Sequence, residues 1–342
     1  TIGARTDVEN VKIENLQNFY RKYYQPDNAV LLVAGKFEAA PTLEVIQKVF
    51  GAIPKPTRVI EPTYTQDPVQ DGGREVTVRR TGDTQLSAVL YHTAAGSHID
   101  SAAMAALSEV LAGTPNGRLH KNLVEKKLAV NVSPWNFDLA ERGYIMFMAE
   151  LSKTQNLQEA RKVLLAELEG LQQNPVTEEE LKRAKAGLLS EIDKTINDPQ
   201  KLAVQMSESI ANGDWRLFFL QRDRIENLKA TDLQAVGLNF FKESNRTLGQ
   251  FIPTATPDRI KMPEAVDVAK LVADYKGKAA ATEGEVFDIS PANIEKRTQR
   301  LALANGMKLI FTPKKTRGET VSGVFTLRFG DEASLFNQAT TS

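Results

Sequence analysis

Histidine is the scarcest residue type in this chain that could perform catalysis, and cysteine is absent. The 342 residues include three histidines, His92, His98 and His120. None lies in an H-x-x-E-H or H-E-x-x-H run, the spacings that place two imidazoles on one helix face to bind zinc. His92 and His98 with Glu109 would bind a metal only if the fold brought them together, and strand-end or surface positions are the better interpretation. We therefore predict no catalytic residue and no metal ligand in this chain.

Other catalytic signatures are also missing. The sequence has no Gly-x-Ser-x-Gly elbow, no phosphate-binding P-loop and no G-x-G-x-x-G fingerprint. Without cysteine, a thiol nucleophile, a disulfide framework and an iron–sulfur cluster are excluded. The 43 Lys+Arg balance the 43 Asp+Glu, which argues against a nucleic-acid binder because such proteins need a basic surface. No uncharged apolar run reaches about 18 residues, so no membrane span is predicted.

The most informative internal feature is a repeat of long period. The run Asn10–Gln17 aligns with Asn227–Gln234, and the register continues without a gap. The later matches are Tyr24 with Phe241, Asn28 with Asn245 and Leu31 with Leu248. A period this long indicates duplicated domains, whereas the units of a solenoid are only a few tens of residues long.

Apolar spacing predicts the elements of the first copy. Residues 11–24 form a helical stripe that Pro26 ends, and the Val- and Leu-rich run 29–34 is typical of a buried strand. A second helix is predicted over 42–49. The prolines that follow indicate a linker at 54–73.

The sequence predicts more strands and helices in the second copy than in the first. Strands 74–80 and 85–92 flank a Thr-Gly-Asp turn, which favours a hairpin and leaves a parallel neighbour as the alternative. Three long helices have N-cap residues Asn156, Thr177 and Asp198. The other predicted elements are helices at 101–111 and 118–127 and strands at 129–134 and 143–151. Beyond residue 290, strands are predicted at 299–303, 307–312 and 321–328.

Several short runs resemble the pitrilysin/insulinase family of zinc metallopeptidases. The first copy carries Tyr24-Gln25-Pro26-Asp27-Asn28-Ala29 and Val33-Ala34-Gly35-Lys36-Phe37, which are similar to the latter part of that family's peptidase domain. The runs Tyr91-His92-Thr93, Gly96-Ser97-His98 and Leu123-Val124-Glu125 resemble its second, non-catalytic domain. The segments 301–306 and 327–331 resemble the start of a third domain.

The resemblance implies an α+β fold of tandem homologous domains, each an antiparallel sheet with helices packed on one face. It implies a first-domain tail at 1–56, a linker at 57–73, an inactive second peptidase-like domain at 74–256, a linker at 257–290 and the start of a third domain at 291–342. We expect both ends of the chain to lie inside a longer bacterial protein. The zinc ligands of the parent protein would lie upstream, so this fragment is expected to hold no zinc. The resemblance also implies the bacterial periplasm.

The resemblance further implies where substrate could be held. Active relatives hold substrate through an Arg and a Tyr in the second half, where this chain has Val124 and Val130, and a valine side chain forms no hydrogen bonds. Gly113, Asn116, Gly117 and Arg118 occupy the place of a glycine-rich substrate loop. A helix terminator and connection is the favoured interpretation of that loop.

Two functions follow from these expectations. The first is a non-catalytic domain that forms one wall of a peptide chamber in a zinc peptidase and pairs with an extended peptide along its strand edges. The second is a structural or assembly domain that holds a catalytic partner without contacting peptide. The expected partners are other domains of the same parent chain or a catalytic subunit, and extended peptide in the first case.

Overall fold

The computed structural model describes residues 3–62, 64–65, 67–277, 284–317, 320–328 and 330. Contacts divide the chain into two units, Thr1–Arg259 and Ile260–Ser342. The larger unit contains helices α1 (Arg5–Asn10), α2 (Ile13–Tyr23), α3 (Ala39–Phe50), α4 (Asp100–Ala112), α5 (Leu157–Glu169), α6 (Glu178–Ile196), α7 (Pro199–Ala211), α8 (Leu217–Asn227) and α9 (Ala230–Phe240). Its strands are β1 (Arg74–Arg80), β2 (Thr84–Ala95), β3 (Asn131–Phe137), β4 (Arg142–Ser152) and β5 (Arg246–Pro253).

The five strands form one mixed sheet in the order β1-β5-β2-β4-β3. β5 pairs in parallel with β1 and antiparallel with β2, while β2–β4 and β3–β4 are antiparallel. The predicted hairpin between 74–80 and 85–92 is therefore wrong. Strand β5, the last of this unit in the chain, lies between the two, and its buried Leu248 occupies the place a hairpin partner would take.

The core lies between one face of the sheet and the helices. Buried residues alternate with half-exposed ones along β2 and β4, as expected when only one face of a sheet is covered. The covered face carries Val89, Tyr91 and Phe147, and helices α4, α5 and α9 pack against it. The α+β class with helices on one face is confirmed, with one parallel strand pair in an otherwise antiparallel sheet.

The predicted helix starts in this unit are confirmed. The side chains of Asn156, Thr177 and Asp198 each accept main-chain N–H groups at the first turn of α5, α6 and α7. The helix predicted at 118–127 is shorter in the structure. It ends in a π-helical segment, His120–Val124. Lys127 then takes a positive φ of 60° and turns the chain into β3.

The repeat is present in the structure in the register that the sequence predicts. Helix α2 aligns in sequence with α9 end to end, and the 3₁₀ turn Pro26–Asn28 matches the turn Glu243–Asn245. The matched asparagines make the same hydrogen bond, because Asn28 Nδ2 donates to Tyr23 O and Asn245 Nδ2 donates to Phe240 O. Two copies of one structural unit therefore occur in this chain.

The two copies differ in what surrounds them. Leu248 is 1% exposed in β5, whereas its counterpart Leu31 is 55% exposed. The predicted strand at 29–34 is wrong, since this segment pairs with no strand in the described part of the chain. A strand needs a neighbour for its main-chain hydrogen bonds, and an apolar run alone does not reveal whether one is present.

The smaller unit contains α10 (Val268–Val272), α11 (Pro291–Arg297) and the antiparallel strands β6 (Gln299–Ala302) and β7 (Lys308–Phe311). The predicted hairpin around Asn305-Gly306 is confirmed, with Gly306 at a φ of 83°. Residues 321–328 form no strand, so that prediction is wrong. Phe329 and residues 331–342, which carried part of the predicted third-domain start, lie outside the described residues, as do Thr1 and Ile2. No described helix is both long and apolar enough to cross a membrane.

Candidate functional site

The loop after α4 was the sequence-based candidate for substrate contact. A Cβ on Gly117 would lie 2.7 Å from both N and O of Gly113, so the loop folds back on itself too closely for any side chain at that position. Gly113, Asn116, Glu109 and Arg183 line a cavity of about 190 Å³ beside it. Burial raises the pKa of Glu109. The loop is thus a tight helix end next to a small polar cavity.

Arg118 is directed into the protein. The residue is 8% exposed. Its Nε and one terminal nitrogen donate to the two carboxylate oxygens of Glu180 at 2.7 and 2.8 Å. The remaining donors reach the main-chain oxygens of Asn174 (2.6 Å) and Pro175 (2.8 Å). This geometry gives Arg118 a structural role, and substrate binding by Gly113, Asn116, Gly117 and Arg118 stays a prediction.

Glu180 also caps α6. Its carboxylate accepts from the main-chain N–H and the hydroxyl of Thr177, which completes the capping box predicted from sequence. Burial favours the neutral acid, but the hydrogen bonds from Arg118 and Thr177 outweigh it and lower the pKa of Glu180 to about 2. Arg118 and the Glu180 carboxylate together therefore join the loop, the 174–175 turn and the start of α6.

The uncovered face of the sheet is a surface that sequence reasoning missed. Across β3, β4 and β2, Trp135 lies opposite Met146 and Met146 opposite Leu90. One row further along, Met148 lies opposite Ala88, and on the other side Leu86 lies opposite Phe251 of β5. Trp135 is 49% exposed and the others are half-buried. We call these residues, Leu86, Ala88, Leu90, Trp135, Met146, Met148 and Phe251, the open sheet face.

The open sheet face could have been found from alternation in β2 and β4. Their outward positions are as apolar as many inward ones, whereas a strand with one face in water usually alternates apolar with polar residues. An exposed surface that is mainly apolar is a candidate binding site for another chain or a ligand. Methionine side chains are flexible and polarizable and accept partners of varied shape. The face is suited to binding apolar side chains without strict sequence preference.

A buried polar network fixes one end of the sheet. Tyr91 Oη donates to Glu169 at 2.8 Å, and Arg246 Nη1 donates to both oxygens of the same carboxylate at 2.8 Å. Burial and the charge of Glu169 raise the pKa of Tyr91, so its hydroxyl stays protonated. The network joins β2, α5 and β5, and sequence reasoning missed it because its members are far apart in the chain.

The histidines do not come together with Glu109. His92 and His98 line a cavity at the end of the sheet, whereas Glu109 lines the separate cavity beside the 113–118 loop. The described residues contain no group of three or more His, Asp or Glu placed to hold a metal ion. The described residues therefore do not fit the zinc that the resemblance implies for a parent protein.

The two positions at which active relatives carry the substrate-holding Arg and Tyr can also be located in the structure. Val124 is half-buried against the core, and Val130 is 59% exposed with its main-chain N–H donating to Glu150 O. Neither side chain offers a hydrogen bond. Whatever this domain contacts, these two positions contribute shape and apolar area alone.

The five-stranded sheet with helices on one face is the fold of peptidase-like proteins to which this chain is similar. The sequence profile described as the peptidase M16 inactive domain matches residues 10–188. The chain belongs to this family. The predicted kinship with zinc metallopeptidases of the insulinase type, through the non-catalytic domain, is thereby confirmed.

Several individual relatives come from bacteria. The zinc protease PqqE of Helicobacter pylori is 27% identical over 249 residues, which are 72% of this chain and 56% of that protein. The crystal structure of a protease from Helicobacter pylori gives a TM-score of 0.70 at 26% identity over 74% of this chain and 62% of that one. An inactive peptidase domain from Bordetella parapertussis is 41% identical over 54% of this chain and 99% of its own, with a TM-score of 0.49. The chain thus spans little more than half the length of the curated relative that it matches.

Proposed function

We propose that this chain provides a non-catalytic wall of the substrate chamber in a zinc-dependent peptidase, and that the open sheet face contacts the peptide. The family match supports the non-catalytic assignment. The zinc would be held by another part of the parent protein or by a catalytic subunit, which are the partners this proposal requires. A peptide-hydrolysis assay of this chain with added zinc is expected to show no turnover.

One observation carries the proposal. The open sheet face has no helical layer among the described residues, yet its side chains are mainly apolar across four strands, with Ser133, Glu150 and Thr247 as polar neighbours. Burying such a surface contributes about 25 cal/mol per Å² of apolar area, so a bound chain would gain affinity from many weak contacts. The outer edges of β1 and β3 add unpaired main-chain groups that an extended peptide can meet by strand addition. Pro134 in β3 lacks an N–H, which leaves β1 as the more complete edge.

The test is peptide binding to the full chain. A fluorescein-labelled extended peptide of mixed sequence is titrated by anisotropy against wild type, Met148→Glu and Leu90→Glu. Each variant places a carboxylate in the middle of the open sheet face, and we expect affinity to fall by about tenfold or more because a charge would be desolvated on binding. Val204→Glu, on the exposed side of α7 at 59% exposure, is the matched control and should bind as wild type does.

The same titration also distinguishes the wall proposal from the second function, a structural or assembly role without peptide contact. If no peptide binds, or if Met148→Glu and Val204→Glu bind alike, the wall proposal is wrong. The assembly role would then be favoured, in agreement with Val124 and Val130 at the substrate-holding positions. Circular dichroism of each variant ensures that a loss of binding is not a loss of fold.

The location and the domain boundaries belong to the same proposal. The periplasmic location rests on the resemblance, and fractionation of the source cells with an antibody against this chain tests it.

The assignment of residues 1–56 as the tail of a first domain is supported by the exposure of their apolar residues. In the second copy the equivalent residues are covered by elements from 84–169.

A further inference from the structure

A second cavity, of about 480 Å³, lies at one end of the sheet. Its lining comes from the end of β2, residues 98–100 at the start of α4, the start of β4, the connection between α9 and β5, and residues 68–70. It is separate from the cavity beside the 113–118 loop. His92, which contributes to it, follows Leu90 on the uncovered side of β2, so the cavity adjoins the open sheet face.

The lining has an excess of positive groups. Among the lining residues, Arg142 and Lys242 carry full positive charges, His92 and His98 add imidazoles, and Asp100 supplies one carboxylate. His98 Nδ1 lies 3.2 Å from the Asp100 main-chain nitrogen, whose N–H donates to it, and 3.4 Å from the Asp100 carboxylate, so this imidazole is already in contact with Asp100. Arg142 makes one long contact, to the main-chain oxygen of Asp67 at 3.5 Å. Within the described residues, the side chains of Lys242 and His92 have no hydrogen-bond or ion-pair partner.

The walls of the cavity are fixed by amide side chains. Gln70, 9% exposed, donates from Nε2 to the main-chain oxygens of Gly72 and Arg246, each at 2.8 Å. Asn245 Nδ2 donates to His92 O and Phe240 O. These bonds hold three separate segments in place. The main-chain segments that carry His92 and Lys242 are therefore fixed, while the side chains of Arg142 and Lys242 are exposed and accessible to a ligand.

We propose that this cavity binds a carboxylate of the peptide that lies on the open sheet face. The inference rests on the proposed function, because that peptide is the ligand the adjoining face would deliver. Arginine and lysine supply full charges and the two imidazoles supply N–H donors, a set that matches the two oxygens of one carboxylate. The carboxylate belongs to the peptide C-terminus or to an acidic side chain, and the experiment distinguishes the two.

Three labelled peptides of one sequence without acidic residues serve as probes for the full chain. The first has a free C-terminus, the second a C-terminal amide, and the third a C-terminal amide with one Glu added. Recognition of the C-terminus predicts that the free acid binds about fivefold or more tightly than the amide, and recognition of a side chain predicts the same gain for the Glu peptide. Arg142→Gln with Lys242→Gln should remove the difference between the peptides. Lys162→Gln, an exposed cation of α5, should keep it.

A second measurement does not depend on peptide binding. The chain has three histidines, so a spectrum of ¹⁵N-histidine-labelled protein contains three imidazoles, with His120 as an internal reference outside the cavity. Titration with acetate should shift the signals of His92 and His98 and leave His120 unchanged, and Arg142→Gln with Lys242→Gln should abolish the shift.

The outcomes separate this inference from the function on which it rests. If all three peptides bind equally and acetate shifts no histidine, the carboxylate site is wrong while the wall proposal stands. If no peptide binds but acetate shifts His92 and His98, the wall proposal fails and the carboxylate site is retained. Equal shifts at all three histidines indicate a general salt effect and also overturn the site.

Discussion

At the scale of single residues, Arg118 shows how sequence position and structural role can diverge. The resemblance places it in a substrate loop, but its guanidinium is buried against Glu180 and two main-chain oxygens. A buried arginine with all these bonds is costly to release, because each carbonyl and the carboxylate would lose a partner. The residue therefore holds the start of α6 against the end of α4.

This ion pair predicts a specific dependence of stability on pH. The pKa of Glu180 is lowered to about 2 from its ordinary value of 4.5. A carboxyl group with a depressed pKa in the folded state stabilises the protein above its unfolded pKa, and that stabilisation is lost as pH falls toward the folded value. The urea midpoint of wild type should therefore exceed that of Glu180→Gln near neutral pH, and the difference should shrink between about pH 4.5 and about pH 2.

Glu179→Gln provides the control for this prediction. Glu179 is the neighbouring acid on α6 and pairs with Arg183 on the surface, with its side chain 82% exposed. Exposed pairs of this kind contribute about 0.5 kcal/mol or less, so its midpoint should follow wild type at every pH. A gap between wild type and Glu180→Gln that stays constant with pH would refute the role of the Glu180 carboxylate.

At the scale of elements, the two copies of the repeat provide an experiment within one chain. Leu233 on α9 is 0% exposed, and Leu16 at the matching position of α2 is 54% exposed. Leu233→Ala should destabilise the chain by about 2–5 kcal/mol, because it removes methylene groups and leaves a cavity. Leu16→Ala should cost less than about 1 kcal/mol, because little apolar area is lost at an exposed position.

Urea unfolding followed by circular dichroism measures both substitutions. The residue type, the substitution and the helix register are the same in the two variants, so helix propensity cancels in the comparison. Equal losses of stability would mean that α2 is packed in this chain as closely as α9, contrary to the exposures observed.

The same elements show which parts of the structure can be predicted from sequence. Helix starts at Asn156, Thr177 and Asp198 follow from local hydrogen bonding, and local sequence is enough to predict them. The neighbour of β1 is β5, far along the chain, and a turn at 81–83 carries no information about it. The open sheet face is predictable in part from its apolar alternation, whereas the cavity at its end combines segments from five places and is visible only in the fold.

At the scale of the whole molecule, the chain combines a well-packed core with an N-terminal region whose helices contain no buried residue. The core elements lie within residues 84–248, whereas α1, α2 and α3 contain no buried residue. An isolated helix of about a dozen residues is marginal in water, because nucleation is costly and few hydrogen bonds follow. Helix α2 of the first copy therefore resembles α9 in sequence but lacks the packing that stabilises α9.

Hydrogen exchange tests this difference directly. Amides of α9 should exchange through unfolding of the core and be strongly protected, whereas amides of α2 should exchange through local opening at close to the rate of free peptide. Because the two helices span matching positions of the repeat, mass spectrometry of the corresponding peptides compares like with like. Equal protection would show that α2 is packed in solution and would remove the support for residues 1–56 as the tail of a domain. In the second copy, residues 74–226 supply the surface on which α9 packs. If α2 becomes protected only when a polypeptide with the fold of residues 74–226 is added, that fold is what covers the apolar face of α2.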